Sequence, residues 1–182
     1  MSDTVGLAGR ALWGLARSRR ALANRLFARY AYSVLGEAGP DLRICTPAQL
    51  NAPHSVRLGS NVFLGPGSSI SAVGGLTIGD NFMSGPNLVI SGGNHSLVPG
   101  ERETHHDELN PPLTIGNDVW VGANVTILAG ADIGDNTVVG AGSVVTKPLP
   151  PNSVCVGVPC RVIRELPRAD GSGDGDHGAA HA

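Results

Sequence analysis

The amino-acid sequence predicts an all-β fold, a parallel β-helix of about five stacked triangular coils, on three observations. Aliphatic residues recur at every sixth position over long stretches. Glycine commonly follows them. The chain holds 26 glycines among its 182 residues while aromatic residues make up only 4%. A helix places apolar residues at a period of about 3.6 and an amphipathic strand at 2. A period of six broken by glycines fits short strands, each ended by a turn and each restarting in the same register.

The register is clearest in "IGNDVWVGANVTILAGADIGDNTVVGAGSVVT", residues 115–146, where the leading residues are Ile115, Val121, Ile127, Ile133, Val139 and Val145. Traced backward it runs through Leu58, Leu64 and Ile70, then, after two inserted residues, Ile78, Ser84 and Ile90. A second inward site lies two positions before each leading residue. It holds Val62, Ser68, Val119, Val125, Ala131, Thr137 and Ser143, with the larger Phe82 and Leu88. Glycine follows the leading residue in eight of these twelve hexads, Ser71, Ser91, Leu128 and Thr146 being the exceptions. Glycine there frees the backbone for a tight corner. Three hexads close a coil of 18 residues, with strands of neighbouring coils about 4.8 Å apart. The chain then has room for coils at roughly 40–57, 58–75, 78–95, 115–132 and 133–150, the first of them degenerate.

The flanks differ from this core. Residues 1–36 carry six arginines and one aspartate, a net +5, whereas residues 37–182 sum to −7. Leu12, Leu15, Leu22, Leu26, Tyr30 and Val34 recur at helical spacing, so residues 1–39 read as an amphipathic helical segment, with a break near Ser18. Two readings of it stand: a cap over the open end of the stacked strands, or a basic helix lying on an anionic membrane surface. The β-helix domain then spans residues 40–166, and residues 167–182, Gly/Asp/Ala-rich, are expected to be disordered.

Composition sets bounds. A hydrophobic content of 41% supplies one domain's core. A net charge of −2 excludes a globally basic nucleic-acid binder. No apolar run approaches the ~18 residues of a membrane span, and the N-terminus lacks a signal-peptide pattern. Cys45, Cys155 and Cys160 are odd in number and fit no metal-ligand spacing. Reduced thiols in a cytoplasmic protein, associated with the cytoplasmic face of a membrane if the helix binds one, are the expectation. Ile78 and Ile115 open the same phrase, "TIGDN" and "TIGND", 37 residues apart, where two coils would take 36. About one coil's length must therefore loop out as "SLVPGERETHHDELNPP", residues 96–112, and loops on a rigid scaffold usually carry function.

The hexads resemble the left-handed β-helix of hexapeptide-repeat acyltransferases. "GAGSVVTKPLPPNSVCVGVPCRVIREL", residues 140–166, with "IGNDVWVGANVTIL", resembles the galactoside and maltose O-acetyltransferase group, a likeness covering about residues 56–166. The resemblance implies a homotrimer with each active site in a cleft between neighbouring prisms. It implies acetyl-CoA as co-substrate and no required metal.

His95 in "SGGNHSL" ends the hexad begun by Ile90, should point outward, and stands where the family places its catalytic histidine. A histidine near neutral pH can take the proton of an acceptor hydroxyl and return it to the leaving thiol; a turn histidine on the surface is the alternative. Asn94 beside it is a candidate acceptor contact. Ala123 and Ala141 match family positions lining the donor groove, and Trp120, expected to face outward, matches a wall of the cleft. Thr146, Lys147, Arg161 and Arg164 match its phosphate- and adenine-end contacts, Lys147 being the only lysine in the chain; charge-assisted bonds to phosphate are among the stronger hydrogen bonds.

The family's acceptor-holding asparagine falls by register at Gly65 or Gly67, so the acceptor is expected to be a sugar or glycan-precursor hydroxyl other than a galactoside. An antibiotic, serine or an amino sugar are alternatives. His105 and His106, flanked by Glu103, Asp107 and Glu108, fit an acceptor contact, a weak metal site or a solvated loop. Two other classes are weighed. A γ-class carbonic anhydrase needs three converging imidazoles, and no histidine lies between His106 and His177. A non-catalytic trimeric scaffold would not need Lys147, Arg161 and an outward histidine together.

Overall fold

The computed structural model describes residues 3–101 and 110–167, with side chains from residue 13 onward. One helix, α1 (Asp3–Val34), precedes a three-sided prism of parallel strands. The first face stacks β1 (Glu37–Ala38), β4 (Val56–Leu58), β7 (Leu76–Ile78) and β10 (Leu113–Ile115), extended by bridges through Ile133 and Leu149. The second stacks β2 (Arg43–Ile44), β5 (Phe63–Leu64), β8 (Met83–Ser84), β11 (Trp120–Val121), β13 (Thr137–Val139) and β15 (Ser153–Val156). The third stacks β3 (Ala48–Asn51), β6 (Ser68–Ser71), β9 (Val89–Ser91), β12 (Thr126–Leu128) and β14 (Val144–Val145). A last strand, β16 (Arg161–Glu165), folds back antiparallel on β15.

The inward register is the one the hexads predict. All twelve leading residues and all nine second-site residues are buried, because alternate side chains of each short strand point into the prism. Serines at the second site are satisfied locally. Ser68, Ser143 and Ser153 each donate from Oγ to the carbonyl three residues back, on Gly65 (2.6 Å), Gly140 (2.7 Å) and Pro150 (2.7 Å). Among the described residues no buried side-chain nitrogen or oxygen lacks a partner.

Coil length departs from the expected 18. Strand partners stand 20 residues apart in the first three coils, as in Phe63 with Met83, and 37 apart across the loop, as in Leu76 with Leu113. The spacing is 18 from Trp120 to Val138 and 16 from Thr137 to Ser153. The two extra residues lie at the corner between the third and first faces, once before Leu58, where Pro53–Ser55 forms a 3-10 turn, and once before Ile78. Leu149 and β15 add a partial sixth coil to the five expected.

The corner chemistry is also corrected. The glycines after the leading residues do not take left-handed backbone angles. Asn61, Asn81, Asn87, Asp118, Asn124, Asn136 and Asn152 do, one residue ahead of the second inward site. Asparagine and aspartate tolerate that region better than other residues with side chains. Their amides also link successive coils, Asn61 to Asn81 at 3.0 Å and Asn87 to Asn124 at 3.0 Å. The glycines are needed for close approach. A Cβ on Gly122 would sit 2.6 Å from the Ala141 backbone nitrogen of the next coil, well inside contact distance.

Helix α1 runs unbroken through Ser18, whose Oγ donates to the Gly14 carbonyl at 3.0 Å. It caps the first coil, but not with the face that its leucines predict. Asn24, Phe27, Ala28, Ala31 and Leu35 are the residues turned to the prism, with Ala31 wholly buried. Asn24 Oδ1 accepts from both the backbone N–H and the hydroxyl of Thr46, each at 2.8 Å. The Tyr32 hydroxyl bridges the Gly39 carbonyl and the Leu42 N–H. Leu15, Leu22, Leu26 and Tyr30 face solvent. The tail expected to be disordered lies, from residue 168 on, outside the described residues.

Candidate active site

The interruption of the prism carries the candidate base. The chain stays in register up to Gly92, whose N–H donates to the Ser71 carbonyl (2.8 Å) and whose carbonyl accepts from Gly74 (3.0 Å). It then leaves the prism and returns at Asn110, just before β10. Asn110 is 8% exposed, and its Oδ1 accepts the backbone N–H of Asn94 at 2.7 Å. An amide from the far end of the loop thus pins the residue adjoining His95. Asn94 and His95 are exposed while Ser96 is buried, its Oγ accepting from the Val98 N–H at 3.1 Å. Residues 102–109, with His105 and His106, lie outside the described residues.

Thr146 and Lys147 follow β14 and are exposed on the same third-to-first edge as His95. They lie two coils further along the prism, about 10 Å by the strand spacing. Ala123 and Ala141 stack on the second-to-third edge, where the Gly142 N–H donates to the Ala123 carbonyl at 2.8 Å. Flush glycine and alanine corners give that edge little relief, suited to a long narrow chain lying against it. Gly65 and Gly67 share this edge. Gly65 is buried against the Gly85 backbone, so no side chain could stand there, and Gly67 has a left-handed φ of 80°.

Trp120 is 44% exposed on the second face, in register with Met83 and Val138. Arg161 and Arg164 lie exposed on β16, at the end of that face, Arg161 Nη1 donating to the Cys160 carbonyl at 2.7 Å. The predicted residues therefore fall into three places on the chain. His95 and Asn94 share an edge with Thr146 and Lys147. The third face separates them from Gly65, Gly67, Ala123 and Ala141, and from Trp120 beyond.

Asn110 escaped the sequence reading because it lies outside the hexad register; only its place beside Pro111 and Pro112, where the strand resumes, marks it. Cys45 is partly exposed, and Cys155 and Cys160 are buried and unbridged. Burial, with Cys155 nearby, pushes the Cys160 thiol above its ordinary range, which makes it a poor nucleophile. Among the described residues no group of three histidines, cysteines or carboxylates is placed to hold a metal ion.

A three-sided parallel prism with glycine-stacked corners and one loop ejected beside a histidine defines a hexapeptide-repeat protein. Residues 112–147 match the bacterial transferase hexapeptide (six repeats) family, and residues 55–91 match the hexapeptide repeat of succinyl-transferase. Galactoside O-acetyltransferase of Escherichia coli (strain K12) is 42% identical over 120 residues, 66% of this chain and 59% of that protein. A galactoside acetyltransferase solved in complex with coenzyme A is 35% identical, with a TM-score of 0.66 over 84% of this chain and 76% of that one. A hexapeptide-repeat acetyltransferase of Vibrio cholerae O1 biovar eltor, solved with acetyl coenzyme A, is 29% identical, with a TM-score of 0.70 over 84% and 89%. The chain belongs to the hexapeptide-repeat acetyltransferase family. It spans 57–59% of the length of three relatives that it matches.

Proposed function

We propose that the protein is an acetyl-CoA-dependent O-acetyltransferase acting on a hydroxyl of a sugar or glycan precursor. The observation that carries this reading is the placement of His95, exposed at the one interruption of the prism, beside a residue pinned by buried Asn110 and on the edge that also bears Thr146 and Lys147. Relatives named as galactoside O-acetyltransferases, and structures solved with coenzyme A or its acetyl form, support both the donor and the acceptor class.

His95 Nε2 or Nδ1 takes the acceptor's hydroxyl proton as that oxygen attacks the thioester carbonyl carbon. The tetrahedral adduct collapses with cleavage of the carbon–sulfur bond, and the imidazolium returns the proton to the thiolate. An acetyl ester and the free thiol leave. Lys147 and Thr146 meet donor phosphate, with Arg161 and Arg164 toward its adenine end; the low-relief edge of Ala123 and Ala141 receives the pantetheine arm, and Trp120 walls the thioester. Asn94 and the backbone at Gly67 serve the acceptor. Gly65, buried under the next coil, contributes shape alone. Asn110 is a positioning residue, acting on His95 through Asn94.

The third face separates His95 from Trp120 and the alanine edge within one protomer, so a complete site needs a neighbour. A closed threefold ring, setting the second face of one copy against the third-to-first edge of the next, supplies it. Calorimetric titration with acetyl-CoA, sedimentation at increasing protein concentration, and thiol release across a panel of sugar acceptors test the whole reading. Micromolar donor binding by a trimer, weakened in Lys147→Ala, is expected. A well-folded protein that binds no donor would return the chain to the scaffold class.

A further inference from the structure

Helix α1 carries a second face that the prism does not use. Leu15, Leu22 and Leu26 recur at spacings of seven and four and are 61%, 58% and 59% exposed; Tyr30 continues the line at 55%. At 100° per residue these four lie on the side of the helix opposite Asn24, Phe27, Ala31 and Leu35, which dock on the first coil. Every described side chain from Trp13 to Ala23 is exposed, so the amino-terminal half projects beyond the prism. Among the described residues no helix is long and apolar enough to cross a membrane.

Charge decides what such a face fits. Between Trp13 and Val34 the helix holds Arg17, Arg19, Arg20, Arg25 and Arg29 and no acidic residue. Among the described residues the ion pair formed joins Arg57 to Glu37, and no α1 arginine takes part in one. Arg17 instead lies over the Trp13 ring, 4.8 Å from its centroid. Packing two copies of this helix together along the leucines would bring arginines of one sign together with no counter-charge. Among the described residues no carboxylate of the prism pairs with an arginine of α1. An anionic lipid surface meets both demands at once: acyl chains for Leu15, Leu22 and Leu26, and headgroup phosphates for the exposed Arg19 and Arg29. At 100° per residue these two flank that stripe and can snorkel beside it.

We propose that α1 is a peripheral docking surface for anionic lipid bilayers, lying in the interface plane while its opposite face anchors the prism to the membrane. The described prism, with eight carboxylates against five basic side chains, is mildly repelled by the surface that attracts the helix, which favours the prism outward. This inference does not depend on the acetyl-transfer reading.

The full-length protein is tested by flotation with vesicles of phosphatidylcholine alone and with about one third phosphatidylglycerol. Binding to the anionic vesicles, little to the neutral ones, and release as salt rises are expected. Arg19→Gln with Arg29→Gln, the two arginines that flank the leucine stripe, should weaken the partition about fivefold for each arginine lost. Leu22→Asp, at an exposed position that leaves the prism's melting transition unchanged, should abolish it. Equal binding of wild type and Leu22→Asp, or no binding to anionic vesicles, would overturn the proposal. So would a concentration-dependent association of lipid-free protein that Leu22→Asp removes, because the face would then belong to a second copy. Glycerophosphate at millimolar concentration should not displace the vesicles; full displacement would mean that a soluble phosphate site, rather than a bilayer surface, had been measured.

Discussion

The first three coils and the last three share one core but differ in their corners. Inward residues are mostly aliphatic or small in both halves, with Phe82 the aromatic exception. All are buried except Ala38, Ala48 and Leu50 of the first coil, which are partly buried. In the first half strand partners lie 20 residues apart and the third-to-first corner takes two extra residues; in the second half the spacing falls to 18 and then 16. The loop leaves at that same lengthened corner, after Gly92, and the candidate base stands there. The second half keeps tight corners and carries Ala123, Ala141, Thr146 and Lys147. A core set by strand alternation tolerates any corner that restores the register, so corners are where chemistry can be installed without cost to packing. In this protein the lengthened corner releases the loop that carries His95, and the tight corners keep the small residues Ala123 and Ala141 flush.

If the core is common to both halves, breaking it anywhere should destroy both. Ile127→Asp places an unpaired carboxylate among residues with no exposed surface, against a wild-type residue that is itself wholly buried. Burying that charge should remove about 4 kcal/mol or more, enough to unfold a domain of ordinary stability. Thermal denaturation followed by circular dichroism reads it directly. A variant that melts within a few degrees of wild type would mean that Ile127 does not face the prism interior.

The corner, by contrast, should be separable from the core. His95→Ala is expected to leave the melting transition in place and to lower turnover about 10²–10⁴-fold, the range for loss of a general base. Thiol release with saturating acetyl-CoA measures it. Near-normal turnover would take the proton-transfer role from His95 and leave the lengthened corner without its chemistry.

Much of this contrast was legible in the sequence, and the parts that were not have physical reasons. The aliphatic period reveals the inward register because burial acts on side chains one position at a time. It cannot reveal corner geometry, since the glycine after Val121 and the asparagine before Val125 both read as turn formers. Only the stacked coils show that one provides clearance and the other the left-handed angle. Helix α1 misled for a related reason. Its leucines form the stronger stripe, but the prism end is covered by Phe27, Ala31 and Leu35 together with hydrogen bonds from Asn24 and Tyr32, a mixed set that apolar periodicity does not register. His95, Trp120, Lys147 and the arginines were found through phrases resembling a family. Asn110 belongs to no phrase and no period, and its role exists only once the loop has closed.

The donor half offers a narrower test. On the proposed donor placement Lys147→Ala removes one charge-assisted contact to phosphate, and a bond of that kind contributes about 1.5–3 kcal/mol. The KM for acetyl-CoA should rise about 10–100-fold while the KM for the sugar acceptor stays near its wild-type value. An acceptor KM that rises in parallel would show that the two halves do not divide the substrates between them.

The smallest expected effect tests whether the two sides of the loop act together. Asn110 Oδ1 accepts the Asn94 N–H at 2.7 Å from an almost fully buried position. Asn110→Ala leaves that N–H without its partner and lets the His95 segment drift. A displacement on the scale of 1 Å can cost up to about a hundredfold in rate, and a partial one about tenfold. The loss should fall on kcat, with the KM for acetyl-CoA unchanged because Lys147 and the alanine edge are untouched. Asn110→Asp retains a side-chain oxygen that accepts from the same N–H and should recover most of the rate. A purely structural role would instead lower the melting temperature of both variants and leave the kinetics of the folded fraction alone. If Asn110→Asp fails as badly as Asn110→Ala while both remain folded, the pinning of Asn94 is not what positions the base, and the lengthened corner must hold His95 by other contacts.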